Sequence, residues 1–136
     1  MATYTTEITS DKLISDNPIH QRLFKAYIVA KDYVSGNLLE IGCGEGRGVH
    51  ALGPLVNHYH GLDKIGEILD RLKDKYPEFT FEQAIIPPLA GLKDNSFDTV
   101  VSFQVIEHID DDKQYLEEIY RVLKPGGMAL ISTPNI

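Results

Sequence analysis

Cysteine is almost absent: Cys43 is the single one among 136 residues. An internal disulfide framework is therefore excluded, and a lone thiol suits a reducing cytoplasm. Long apolar runs are missing as well. No stretch approaches the roughly 18 apolar residues that a membrane-spanning helix needs. The first ten residues, MATYTTEITS, lack the basic segment and apolar stretch of a secretory leader. Positive charge is in short supply, with 13 Lys and Arg against 20 Asp and Glu and a formal net charge of −7. Nucleic acid, which wants a basic face, is not an expected partner. No tract is low in complexity, and no internal repeat is found. What remains is ordinary, 43% hydrophobic and 24% charged, and enough for one domain with its own core. We expect a single domain over 1–136, with an arm and helix at 1–35 and a core at 36–136.

Glycine, by contrast, is concentrated. In LLEIGCGEGRG, residues 38–48, it takes every second position from Gly42 to Gly48. Glycine directly after an apolar strand costs conformational entropy and packs nothing. The bare backbone there points to close approach of a ligand.

Residues 1–15 are polar and poorly patterned, and read as a loose arm or lid. Asn17 is a candidate N-cap, with Pro18 at the first helical position. Ile19, Leu23, Tyr27, Ala30 and Val34 then recur at helical spacing until Gly36. NLLEI is a short apolar run, read as a buried strand. A helix is expected from GRGVHALGPLVNHY, and a second strand from YHGLD. GEILDRLKDKYP reads as a helix with Ile68, Leu69 and Leu72 on one face. The run EFTFEQAI reads as a third strand, and PPLAGLKDNS as a loop. FDTVVSFQVI is apolar along most of its length, as a strand buried on both faces would be. In DDDKQYLEEIYRVLK we expect a helix capped by Asp110, with Tyr115, Leu116, Ile119, Val122 and Leu123 inward. PGG reads as a turn and MALIST as a fifth strand.

Strands alternating with helices predict an α/β fold, a doubly wound parallel sheet with flanking helices and right-handed crossovers. Ligands bind such sheets beyond the carboxyl ends of the strands, where strand order reverses. The glycine loop, Asp63, the end of FTFEQA and FQVIEH all fall at those ends.

The register of the glycines narrows the ligand. A dinucleotide loop wants G-x-G-x-x-G straight after the strand. Counted from Gly42, the last position is Arg47, so the pattern fails. Counted from Gly46, GRGVHA fits the variant ending in Ala but begins too late for the tight turn. An acid should follow about 20 residues on, and Asp63 lies 21 past Gly42. G-x-G-x-G from Gly42 is therefore the working pattern.

LLEIGCGEG resembles the first motif of the class I S-adenosylmethionine-dependent methyltransferases, and GLD resembles their second. SFDTVVSFQVIEHI and RVLKPGGMALISTPN resemble the fourth- and fifth-strand motifs of the branch that includes the ubiquinone and menaquinone biosynthesis methyltransferases. The likeness runs from about residue 36 to the end. It implies a Rossmann-like sheet of strand order 3-2-1-4-5, S-adenosyl-L-methionine as cofactor and a small-molecule methyl acceptor. The family normally adds strands 6 and 7, so the chain reads as C-terminally incomplete. Residues 128–132 would then be an apolar edge through which a second copy can pair.

The resemblance also implies roles. Gly42, Gly44 and Gly46, with Cys43 between them, would bring the backbone to the methionine portion. Glu40 would sit near its cationic part, directly or through water. Asp63 would accept from both ribose hydroxyls. Lys64 and Ile65 would flank the adenine. Gln83 and Ala84 stand where the family often has Asp-Ala, at the adenine edge; Gln83 departs from that pattern but keeps an acceptor oxygen. Phe103 and Gln104 would line the methionine side.

Plainer readings stand beside these. The glycines could serve a turn, Glu40 could bind backbone, and Asp63 and Gln83 could be solvated. Cys43 reads as a small packing residue, with no adjacent His or Lys to activate it. Glu107 reads as holding the turn after strand four, and His108 as a general base or substrate contact. No metal is expected, since HYH at 58–60 starts a strand at the far end of the sheet. The alternatives to methyl transfer are an NAD-type oxidoreductase and a cofactor-binding fragment without catalysis.

Overall fold

The computed structural model describes residues 18–134, with side chains from residue 21 onward. The loose arm read over residues 1–15, the N-cap at Asn17 and the side chain of Ile19 fall outside it. The elements in order are α1 (Pro18–Ala30), β1 (Asn37–Ile41), α2 (Arg47–Leu52), β2 (His58–Asp63), α3 (Gly66–Lys75), β3 (Thr80–Gln83), β4 (Phe97–Phe103), α4 (Asp112–Val122) and β5 (Leu123–Ser132). All neighbouring strands pair in parallel, in the order β3-β2-β1-β4-β5. Strand order thus reverses at β1, between β2 and β4. The carboxyl ends of those three strands border the natural cleft.

Each face of the sheet has its own apolar layer. On one side Leu38, Tyr59, Phe81 and Val101 pack under α1, α2 and α3, which contribute Tyr27, Val49 and Leu69. On the other, Leu39, Ile41 and Val100 pack under α4, which contributes Tyr115, Ile119 and Val122. β1 and β4 are central and buried almost throughout because both their faces are covered.

Several local expectations shift. α1 stops at Ala30, and Val34 packs against the core from the turn beyond it. The second helix is short and ends in a 3₁₀ turn at Gly53–Leu55, where proline cannot continue the ladder. β2 begins one residue earlier, at His58. Asp111, not Asp110, caps α4, accepting from the Gln114 N–H at 3.0 Å. Leu116 is 44% exposed: it lies about 100° around the helix from Tyr115, outside the arc that Tyr115, Ile119 and Val122 bury. PGG does not separate α4 from the last strand. β5 starts at Leu123 and carries those residues as a bulge, with Phe97 opposite Leu123 but Thr99 opposite Met128.

Candidate functional site

A cavity of about 290 Å³ opens at the carboxyl ends of β1, β2 and β4. Small-molecule pockets begin near that size. Its floor is the turn after β1. Gly42 has φ +77°, and a Cβ there would stand 2.7 Å from Val105 Cγ2. Any other residue would be strained in that backbone and would also fill the cleft. Gly42 and Cys43 donate their N–H groups to the Leu62 carbonyl at 2.8 and 2.9 Å. The loop is thereby laid across the end of β2.

Asp63 closes the join. It is 7% exposed yet lines the cavity. Its Oδ2 accepts from the Gly44 N–H at 2.9 Å, and its Oδ1 from the Ile65 N–H at 3.1 Å. A carboxylate offers about four acceptor sites, so among the described residues one remains on each oxygen for a ligand carrying two hydroxyls. The residues therefore fit a ribose-bearing cofactor: a backbone cradle beside a carboxylate with two free lone-pair directions.

The other candidate residues divide around this centre. Lys64 and Ala84 line the cavity, as do Phe103, Gln104 and His108. Gln104 adopts φ +60° and donates its N–H to the Ser132 carbonyl at 3.0 Å. A non-glycine residue held in that backbone at a cleft is the kind of strain that functional sites keep. His108 sits in a 3₁₀ turn over Ile106–His108, its side chain 44% exposed and its Nε2 3.8 Å from Glu107 Oε2. Ala84 donates its N–H to the Asp63 carbonyl at 3.0 Å, so the methyl side chain is what it offers a ligand. Gln83 stands beside the cavity, with its amide nitrogen on the Lys64 carbonyl at 3.0 Å. Ile65 meets the site through its N–H on Asp63. Gly44 reaches it the same way. Gly46 has φ +108° and starts α2, where a Cβ would stand 2.8 Å from Leu72.

Glu40 and Cys43 lie behind the cavity wall. Cys43 is 1% exposed, and burial pushes its thiol well above the ordinary range. It is a packing residue there. Glu40 is fully buried. The Tyr27 hydroxyl donates to its Oε2 at 2.6 Å, and the Tyr59 hydroxyl donates to its Oε1. Desolvation raises its pKa from 4.5 to about 7, against the lowering effect of the two phenols. Gly48 is required for space: a Cβ there would collide with the Glu40 carboxylate.

Sequence reasoning did not assign Leu23 and Tyr27 of α1, or Ile86 and Ile109, to the cavity wall, which they also form. A signal existed for Tyr27. A glutamate inside an apolar strand needs donors, and a phenol on the buried face of a neighbouring helix is a natural one. At the start of β2, His58 shares a hydrogen bond with Thr80 Oγ1 at 2.9 Å and His60 Nε2 faces Glu82 at 3.1 Å, both turned toward β3 and away from the cleft. Among the described residues no three metal-capable side chains cluster, and no helix is long and apolar enough to cross a membrane.

A doubly wound sheet with a glycine cradle and an acid at the end of the next strand defines a nucleotide-cofactor domain. Residues 39–131 match the family described as the methyltransferase domain, and the chain belongs to that family. It is 40% identical over 99 residues to a protein of Mycolicibacterium smegmatis named "Probable S-adenosylmethionine-dependent methyltransferase", covering 73% of this chain and 38% of that one. It is 29% identical over 140 residues to a mitochondrial ubiquinone biosynthesis O-methyltransferase of Dictyostelium discoideum, covering 90% of this chain and 39% of that one. The crystal structure of an S-adenosylmethionine-dependent methyltransferase from Mesorhizobium loti superposes with a TM-score of 0.69 at 27% identity, over 79% of this chain and 53% of that one. The chain thus spans well under two thirds of the length of these relatives. None of the three is an NAD-type oxidoreductase.

Proposed function

We propose that this chain carries the cofactor side of a small-molecule methyltransferase that uses S-adenosyl-L-methionine. The observation that carries the reading is Asp63, a cavity-lining carboxylate tied to the glycine loop with acceptor capacity to spare. Asp63 holds the two ribose hydroxyls. The backbone at Gly42, Gly44 and Gly46 gives room to the methionine portion. Lys64, Ile65 and Ala84, with the free oxygen of Gln83, border the adenine. Phe103 and Gln104 border the methionine end, and His108 stands where an acceptor enters.

When bound, the cofactor supplies an activated methyl group for in-line displacement. The chain's work is then to position two reactants and exclude water. A base is needed only when the acceptor atom holds a proton of high pKa, and His108 is the side chain at hand for it. The acceptor is a small molecule, the location the cytoplasm, where Cys43 stays reduced, and the edge strand β5 a surface for pairing with a second copy.

Calorimetry tests the reading. The chain is expected to bind S-adenosylhomocysteine and not NAD; the reverse result would overturn it. Asp63→Ala should weaken binding of the former by at least about 1–3 kcal/mol, the cost of lost charge-assisted hydrogen bonds. Unchanged affinity would remove Asp63 from the ribose site. A methyl-transfer assay over a panel of small acceptors then separates an enzyme from a binding fragment.

A further inference from the structure

α1 gives the cavity an aromatic side chain whose polar end is already engaged. The Tyr27 hydroxyl is turned into the sheet, on Glu40 Oε2 at 2.6 Å, while the residue still lines the cavity. What faces the ligand is therefore ring. Phe103 stands against that ring edge-to-face, with centroids 5.1 Å apart at 65°, and also lines the cavity. The two make an aromatic corner at the end of β4. Asp63 lies at the end of β2, on the other side of β1. The corner is therefore the end of the cleft away from the ribose acid.

An aromatic corner alone would suit any apolar group. Two features here favour a cation. Ring faces carry negative potential and attract cations within about 6 Å. Behind the Tyr27 ring stands an acid that accepts a hydrogen bond from its hydroxyl, which shifts electron density toward the ring. Above the Glu40 pKa of about 7 it also places negative charge one phenol away, offset in part by Arg47, whose positive charge also acts on Tyr27. Lys64, the one lysine in the lining, is at the β2 end. His108 is the other lining residue able to carry positive charge, and it is 44% exposed.

We propose that Tyr27 and Phe103 form the receptor for the positively charged sulfur of the cofactor, with Glu40 as a positioning residue that acts through Tyr27. The inference rests on the S-adenosylmethionine reading and sharpens it. Glu40 meets the cationic part of the cofactor neither directly nor through water, but through a phenol.

The test compares two ligands that differ in this charge. S-adenosylmethionine is a sulfonium; S-adenosylhomocysteine is a neutral thioether. Calorimetry of the 136-residue chain at pH 8 gives the affinity ratio between them. Phe103→Leu, which leaves the Glu40 hydrogen bonds in place, should lower affinity for the sulfonium about 5- to 30-fold and for the thioether less than about twofold. Tyr27→Leu should do the same where it folds. Tyr27→Phe, which keeps the ring but cuts its bond to Glu40, and Glu40→Gln should each lower the ratio by about two- to fivefold, less than the leucine variants do. Equal loss of both ligands in the leucine variants, or no loss of either, overturns the inference while leaving the cofactor reading standing. A wild-type chain that binds neither ligand overturns that reading, and this inference with it.

Discussion

A carboxyl group with no access to water must be held by something, and two phenols hold Glu40. Its pKa of about 7 in the fold, against 4.5 as the ordinary value, makes stability depend on pH with a definite sign. The folded chain binds this proton more tightly than the unfolded one. The contribution is therefore fully present below about pH 4.5, is lost as pH rises through 7, and amounts to about 3 kcal/mol. His60 works the other way, since burial lowers its pKa from 6.5 and folding then gains as pH rises through that region. The difference between wild type and Glu40→Gln isolates the glutamate. In urea titrations at pH 5 and pH 8, the variant should lose less stability between the two than wild type does. Equal losses would mean that Glu40 does not titrate in this range. Gly48→Ala probes the same spot sterically. The carboxylate that a methyl would strike is pinned by two hydroxyls and cannot swing aside. A loss of about 1–3 kcal/mol by thermal melting is expected, and a neutral melt would show that the pocket can give. From the sequence, Glu40 was legible as an acid in a strand that needs donors, but not which two phenols supply them. Periodicity shows which face of α1 is buried, but not that Tyr27 on that face reaches an acid in the next strand.

The strands were the most legible elements, because apolar runs such as NLLEI and FDTVVSF can satisfy their surroundings only inside a sheet covered on both faces. The crossover from β3 to β4 was legible as a loop from its prolines, but not its means of support. With no helix spanning 84–96, two side chains on α4, Arg121 and Glu118, supply that support. Arg121 donates to the Leu92 and Leu89 carbonyls at 2.7 and 2.9 Å, to Asp94 Oδ1 at 2.8 Å and to Glu118 Oε2 at 2.8 Å. Glu118 in turn accepts from the Leu89 N–H at 2.8 Å. These bonds hold the Arg121 pKa above its ordinary value and the Glu118 pKa below its own. A guanidinium can make this many bonds at once because its donors form a fixed planar fork, which an ammonium lacks. Arg121→Lys is accordingly expected to cost about 1–2 kcal/mol and to speed amide hydrogen exchange at residues 89–94. Unchanged exchange there would show that the loop is held by Leu89 packing instead. The misjudged PGG segment has a similar origin. Turn-forming residues announce a local bend, but only the pairing of β5 with β4 decides whether the bend ends the strand or bulges it.

At the scale of the molecule, the sheet is closed unevenly. β3 at one edge is four residues long, too short to recruit another strand easily. β5 at the other edge is ten residues long. Met128 and Ile131 on it are 42% and 38% exposed, and Leu116 and Tyr120 on the adjoining α4 are 44% and 82% exposed. Among the described residues β5 pairs with β4 alone, and an open strand edge beside exposed apolar side chains is a template for pairing. Opposing it is the formal net charge of −7 on each copy, which keeps copies apart while its field is unscreened. The two forces respond differently to salt. Repulsion reaches about 30 Å at 0.01 M ionic strength and about 10 Å at 0.1 M, whereas apolar contact is not screened. Self-association through β5 should therefore strengthen as salt is raised, opposite to a contact held by ion pairs. Sedimentation velocity over a concentration series at low and moderate salt reads this directly. Ile131→Lys, which puts a charge on the edge as natural sheets do to block pairing, should return the chain to monomer at every salt concentration. Association that weakens with salt, or that survives Ile131→Lys, would place the contact somewhere other than β5.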